Sequence, residues 1–186
     1  MPRMAEWRKT MEIIKGTKKD VDEVSALYDA ICDYLDEHTN YPGWRKGIYP
    51  AREDALQGVE EDNLFVATID GKIAGTFILR HQPEEGYETA KWKKDLDYSD
   101  IFVIHTLAVH PQFLQMGIGK EMLGYILELA SREEMKSVRL DVYEKNTPAM
   151  HLYEKCGFEY VDTVDMGFGA YGLDWFKLYE RLVEPV

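Results

Sequence analysis

The sequence predicts a mixed α/β fold, and three observations carry that prediction. Short runs rich in β-branched and aromatic residues are interleaved with longer stretches whose apolar residues recur every three or four positions. Read in order, the elements run β-α-α-β-β-β-α-β-α-β-β, which fits a layered mixed domain and neither an all-helical nor an all-strand one. A length of 186 residues with 45% hydrophobic and 30% charged composition suits one domain with a real core.

Residues 1–10 are basic, contain Trp7 and lack periodicity, so they are expected to be an extension, with Trp7 packing down, ahead of a single domain over 11–186. Met11 to Lys15 reads as a strand. Thr17 and Asp20 make a capping-box-like start to a helix whose stripe is Val21, Val24, Leu27/Tyr28, Ile31 and Leu35. After an aromatic, turn-rich stretch from Tyr41 to Pro50 comes a short helix from Arg52 to Glu61. Asn63–Ile69 and Ile73–Leu79 form a hairpin through Asp70-Gly71. His81 to Ser99 has no periodicity, and loops of that length are often functional or disordered.

Asp100 to Val109 is again a strand, closed by Pro111. From Gly117 to about Glu134, Ile118, Met122/Leu123, Ile126/Leu127 and Ala130 mark a long amphipathic helix. Val138, Leu140 and Val142 alternate with Arg139, Asp141 and Tyr143, as in a strand with one face buried. Thr147 as cap and Pro148 in the first position open another short helix, which Gly157 ends. Tyr160–Met166 and Leu173–Leu182 supply two last strands around Gly167-Phe168-Gly169.

Charge and cysteine content exclude several classes of function. With 34 acidic against 22 basic residues the formal charge is -12, which repels phosphate backbones and anionic membrane surfaces. Neither nucleic acid nor membrane is expected as a partner. Two cysteines, Cys32 and Cys156, give no basis for a disulfide framework or a cysteine metal site. No apolar run is long enough to span a bilayer, and the first residues lack the apolar stretch of a secretion signal, so a cytoplasmic protein is expected.

The chemistry concentrates where one strand ends and the long helix begins, at Val109-His110-Pro111-Gln112-Phe113-Leu114-Gln115-Met116-Gly117-Ile118-Gly119-Lys120. Helix-start amides lack intrahelical partners, and the helix dipole puts partial positive charge there, so such a terminus receives phosphate. It is neither a Walker loop nor a full dinucleotide fingerprint, whose last glycine falls on Met122. A second motif follows, Asn146-Thr147-Pro148-Ala149-Met150-His151-Leu152-Tyr153-Glu154-Lys155-Cys156-Gly157-Phe158. Together, with a strand between them, the two motifs resemble the GNAT superfamily of acetyl-CoA-dependent N-acetyltransferases. The resemblance is densest from Asp100 to Phe158, and the element order extends it over most of Met11 to Val183.

That resemblance implies a central, mostly antiparallel sheet of about seven strands flanked by about four helices, and an enzyme that uses acetyl-CoA and no metal. The amides of Gln115, Gly117, Gly119 and Lys120 would hold the pyrophosphate, with the Gln115, Met116, Ile118 and Lys120 side chains set by the loop. Backbone groups of Leu107 and Val109 would pair with the pantetheine arm like an added strand, and an amide near Leu107 would meet the oxyanion. Asn146 would bond the same arm, and Tyr153 would protonate the departing thiolate. One departure stands out: the loop's usual Arg/Gln position is Leu114, with Gln115 one residue late.

His105, two residues before Leu107, lies where the family often places a glutamate and is the candidate base, with Asp100 and Glu144 in reserve. It reads equally as a histidine hydrogen-bonded within the sheet. Asn146 reads alternatively as a turn residue, and Tyr153 as a core tyrosine. Tyr41, Trp44, Tyr49 and Trp92, near acidic residues, suit a cationic amine pocket or an apolar minicore or dimer contact. The expected acceptor is a primary amine of a small molecule or peptide, with a homodimer possible. A non-catalytic acyl-CoA-binding sensor or interaction module, and catalysis with a longer acyl group, are the alternatives.

Overall fold

The structure, a computed structural model, describes Glu6, Arg8 and residues 10–185. The expected packing of Trp7 lies outside the described residues. The strands are β1 (Met11–Lys15), β2 (Leu64–Ile69), β3 (Lys72–Arg80), β4 (Ile101–Val109), β5 (Ser137–Tyr143), β6 (Glu159–Val164) and β7 (Phe176–Leu182). The helices are α1 (Val21–Glu37), α2 (Arg52–Glu60), α3 (Ile118–Arg132) and α4 (Thr147–Lys155). The strands join one seven-stranded sheet in the order β1-β2-β3-β4-β5-β7-β6. All recorded pairings are antiparallel except β4 with β5. The mixed α/β class and its element order are as the sequence predicts.

Backbone contacts cluster into two compact units. The first takes in residues up to Asn40, Trp44–Leu79 and Thr106–Met122. Its core is the α1 stripe of Val21, Val24, Leu27, Tyr28 and Ile31 packed with Ala55 of α2 and with Leu64, Val66, Ile73 and Ile78 of the hairpin. That hairpin turns at Asp70 and Gly71, both at positive φ, the geometry that suits a two-residue turn to the strand twist. Phe65 and Phe77 face each other across it, with ring centroids 5.0 Å apart. On β3, a Cβ at Gly75 would stand 2.9 Å from the Met122 thioether and 3.0 Å from the Ala108 carbonyl oxygen, so only glycine lets α3 sit this close. The Thr17–Asp20 start forms by halves. The Thr17 amide donates to the Asp20 carboxylate at 2.7 Å, while the helix itself begins after Asp20.

The second unit comprises Tyr41–Gly43, Arg80–His105 and Leu123 onward. Here the expectation of a half-buried β5 is corrected, because Arg139 is only 2% exposed and Tyr143 is buried too. The cause is the aperiodic stretch after β3, whose Tyr87, Trp92, Leu96 and Tyr98 pack into the cluster of Ile101, Val103, Tyr143, Phe176 and Leu178 and cover that face. Arg139 survives burial because it is fully engaged. Its Nε donates to Glu180 at 2.9 Å and Nη2 to the Lys94 carbonyl at 3.0 Å, and its guanidinium lies 4.1 Å from the Trp92 ring centroid. Ser137 Oγ donates to the same Glu180 carboxylate oxygen at 2.9 Å.

The start of α4 is a second correction. Asn146, not Thr147, is the N-cap, its side-chain oxygen accepting from the Ala149 amide at 3.4 Å, so Pro148 falls in the second helical position. The other end of α4 closes as expected at Gly157, which has φ +82. The Phe158 amide donates to Tyr153 O and the Gly157 amide to Glu154 O, each at 3.0 Å, a Schellman closure with Phe158 against the Tyr153 ring.

Two stability predictions follow from this unit. Gly157→Ala places a Cβ in a left-handed residue, 3.1 Å from Arg181 Nη1, and is expected to cost about 1–2 kcal/mol in urea unfolding. Glu180→Gln strands a buried guanidinium, and the expected loss is about 3 kcal/mol or more by the same measurement.

Candidate active site

In the first unit, β4 contains Thr106, a β-branched residue in the left-handed region with φ +48. The pairing of β4 with β5 runs over Ile101–Ile104 and Ser137–Leu140, and Leu107 and Val109 lie beyond it. The Thr106 hydroxyl is hydrogen-bonded to that of Tyr49. Tyr49 meets Trp44 edge to face with centroids 6.1 Å apart, and Asn40 ties both backbone groups of Trp44 through its side chain. Trp44 and Tyr49 are thus brought together, whereas Tyr41 is an exposed residue of the other unit.

After β4, His110 accepts from the Gln112 amide through Nδ1 at 3.1 Å and opens a single 3-10 turn, Pro111–Phe113. Leu114 is extended and its side chain exposed. Gln115 then takes φ +62 and Gly117 φ +82, two left-handed residues that wind the chain into α3. A Cβ at Gly117 would meet nothing within 4 Å, so its conformation demands glycine while the space before it stays open to a ligand. The Glu121 amide bonds to Gly117 O at 3.1 Å, closing the first turn. The amides of Ile118, Gly119 and Lys120 therefore precede any intrahelical acceptor. The Ile118 side chain is buried, Met116 is half-buried, and Gln115 and Lys120 are exposed. This loop fits a phosphate group through its backbone, with Leu114 adding no side-chain donor.

In the second unit the structure assembles a cluster around His105. Its Nδ1 lies 2.9 Å from Glu84 Oε1, and the His105 side chain is only 8% exposed against 40% for Glu84. Its Nε2 is buried without a hydrogen-bond partner. Beside them the Tyr87 hydroxyl donates to Asp141 Oδ2 at 2.7 Å. Hydrogen bonding to His105 holds the Glu84 carboxyl below the ordinary carboxylate range, helped by the His105 and Arg80 charges. Burial raises Asp141 against the opposing bond from Tyr87, and burial followed by the Asp141 charge pushes the Tyr87 phenol well up.

Glu84, Tyr87 and Asp141 escaped sequence reasoning. The first two sit in the aperiodic stretch, and Asp141 reads as a solvent-facing strand position. The available signal was the length of that stretch combined with its three aromatics.

Asn146 spends its oxygen on the α4 cap, and its side-chain NH2 remains a donor. Tyr153 is buried, with its ring 6.3 Å from that of Tyr179. Trp92 is committed to packing, its indole N–H donating to Tyr87 O at 2.8 Å. Of the reserve bases, Asp100 is bonded to Lys136, and Glu144 is half-buried. His151 is exposed on its helix. Among the described residues no group of three His, Cys, Asp or Glu side chains could hold a metal ion.

A mixed sheet with a glycine-bearing loop feeding a long helix offers a backbone site suited to a phosphate group, and comparison with known proteins supplies the class. The model of the acetyltransferase (GNAT) family matches residues 25–158. The uncharacterized N-acetyltransferase MJ1207 of Methanocaldococcus jannaschii is 25% identical over 180 residues, covering 94% of this chain and 68% of that protein. A GNAT-family acetyltransferase of Streptococcus agalactiae has the same fold, with a TM-score of 0.74, 20% identity, and coverage of 94% of this chain and 96% of that one. YncA of Salmonella typhimurium, solved with its cofactor acetyl-CoA, superposes with a TM-score of 0.65 at 15% identity over 94% of this chain and 95% of that one. The chain belongs to the GNAT family of acetyltransferases, whose acetyl donor is acetyl-CoA.

Neither Cys32 nor Cys156 is joined in a disulfide. Burial, then the charges of Asp29, Asp36 and Asp33, pushes the Cys32 thiol up to about 11, which leaves it almost wholly protonated at neutral pH. Cys156 is half-buried. Iodoacetamide at pH 8 is expected to alkylate Cys156 well before Cys32 in the folded protein, read by peptide mass spectrometry.

Proposed function

We propose that this chain moves an acetyl group from acetyl-CoA to a primary amine of a small molecule or peptide by direct attack in a ternary complex, with residues 11–186 as the catalytic domain. The observation that carries the reading is the empty Nε2 of His105. Its Nδ1 is taken by Glu84, so the nitrogen left over is an acceptor awaiting a proton. An incoming amine, directly or through one water, supplies that proton and becomes a neutral nucleophile.

Acetyl-CoA supplies the activated thioester. The amides of Gln115, Gly117, Gly119 and Lys120 bind its pyrophosphate, and the backbone of Leu107 and Val109, beyond the β4–β5 ladder, pairs with the pantetheine arm. Asn146 donates to the same arm through its NH2. As the new C–N bond forms and the C–S bond breaks, an amide near Leu107 steadies the oxyanion and the Tyr153 hydroxyl returns a proton to the thiolate. Trp44 and Tyr49 would supply aromatic faces for the acceptor, and the excess of acidic residues favours a cationic one.

Thiol release from acetyl-CoA, screened over spermidine, free amino acids, aminoglycosides and short peptides with free N-termini, tests the reading. Turnover is expected with at least one amine, and silence from all of them despite measurable CoA binding would sink it. His105→Ala is expected to lower kcat/KM by about a hundredfold and remove the acid limb of its pH profile, and Tyr153→Phe to lower kcat by a similar factor.

A further inference from the structure

We infer that Glu84 is the positioning residue of the proton-accepting site. Its carboxylate on Nδ1 of His105 selects the tautomer that leaves Nε2 bare, and it steadies the imidazolium once the proton arrives. The inference rests on the reading of His105 as the base and goes beyond it by assigning a role to a residue in an aperiodic loop.

The tautomer follows from simple accounting. A carboxylate only accepts hydrogen bonds, so the 2.9 Å contact requires a proton on Nδ1. In the neutral ring that leaves Nε2 with a lone pair, and this nitrogen is buried without a partner. The opposite tautomer would set two lone pairs against each other at Nδ1 and bury an unsatisfied N–H at Nε2, a double penalty.

The charged groups around the ring decide what happens next. Glu84 approaches from the loop after β3, with Arg80 at the end of that strand acting on it, and Asp141 lies on β5 with Tyr87 donating to it. When His105 takes a proton, the ion pair with Glu84 replaces a lone carboxylate charge in a site largely screened from water. The lowered Glu84 carboxyl reports the same coupling from the other side. Asp141 is already engaged by a phenol, so Glu84 is the group bonded to the ring. Its partial exposure lets it hold charge while the imidazole stays dry.

The test has two independent readouts on the full chain. Nitrogen-15 NMR of the imidazoles at pH 8, needing no amine, is expected to show His105 with hydrogen on Nδ1 and a bare Nε2, and a mixture of tautomers in Glu84→Ala. With the amine that turns over best, Glu84→Gln keeps an oxygen for Nδ1 but loses the charge. It is expected to lower kcat at least about tenfold, leave KM for the amine little changed, and move the acid limb to lower pH. An Nε2–H tautomer in the wild type overturns the inference, as does a Glu84→Gln variant with wild-type kcat and acid limb. If His105→Gln is inactive while Glu84→Gln is normal, only the role of Glu84 falls. If His105→Gln turns over normally, the base reading falls and takes this inference with it.

Discussion

The left-handed conformation of Thr106 is the constraint on which the course of β4 depends. A β-branched residue at φ +48 carries strain of order 1–3 kcal/mol, which the surrounding structure must hold in place. Before it, Ile101–Ile104 are locked to β5 in a parallel ladder. After it, Leu107 and Val109 leave that ladder. A one-residue irregularity also breaks the strict alternation of side chains along a strand. His105 comes just before Thr106 in β4, and Leu107 and Val109 come after it. The hydroxyl bond from Tyr49 gives the aromatic loop a direct hold on this point.

Much of the scaffold was legible because its cues are local. Asp70-Gly71 dictates a hairpin through its own backbone preference, the α1 stripe declares its buried face, and Gly157 can close α4 where a side chain cannot. The loop ahead of α3 was legible for the same reason, since Gly117 and the helix start declare themselves through backbone preference. What stayed hidden depends on groups far apart in sequence. No residue type announces that Thr106 will be left-handed. Arg139 on β5 looks like a solvent-facing charge until Glu180 from β7 and Trp92 from the loop close over it. Glu84 and His105 meet across 21 positions, through a loop with no period of its own. The Asn146 cap was missed for a subtler reason: Thr147 is an equally good capping residue, and only the bond to Ala149 distinguishes them.

The second unit shows how a chain this acidic tolerates buried charge. Arg139, Glu180, Ser137 and Tyr98 satisfy one another, and the guanidinium also stacks on Trp92. Such an arrangement adds little net stability over an apolar core of the same shape. Its value lies in discrimination, because a misregistered β7 would bury a carboxylate with no cation opposite. The loop after β3 thereby becomes part of the core and carries Glu84 to His105.

Gly75 has a reach beyond its own strand. The Met122 thioether that fills the space above it lies one helical turn from Ile118, where the amides without intrahelical acceptors begin. The height of α3 over β3 is thus set by the absence of a single methyl group, and the helix acts as a short lever whose fulcrum is that contact. A displacement of a few tenths of an ångström at the fulcrum would reach the amides almost undiminished. The start of α3 is in this sense set from the interior of the sheet, by a residue with no side chain of its own.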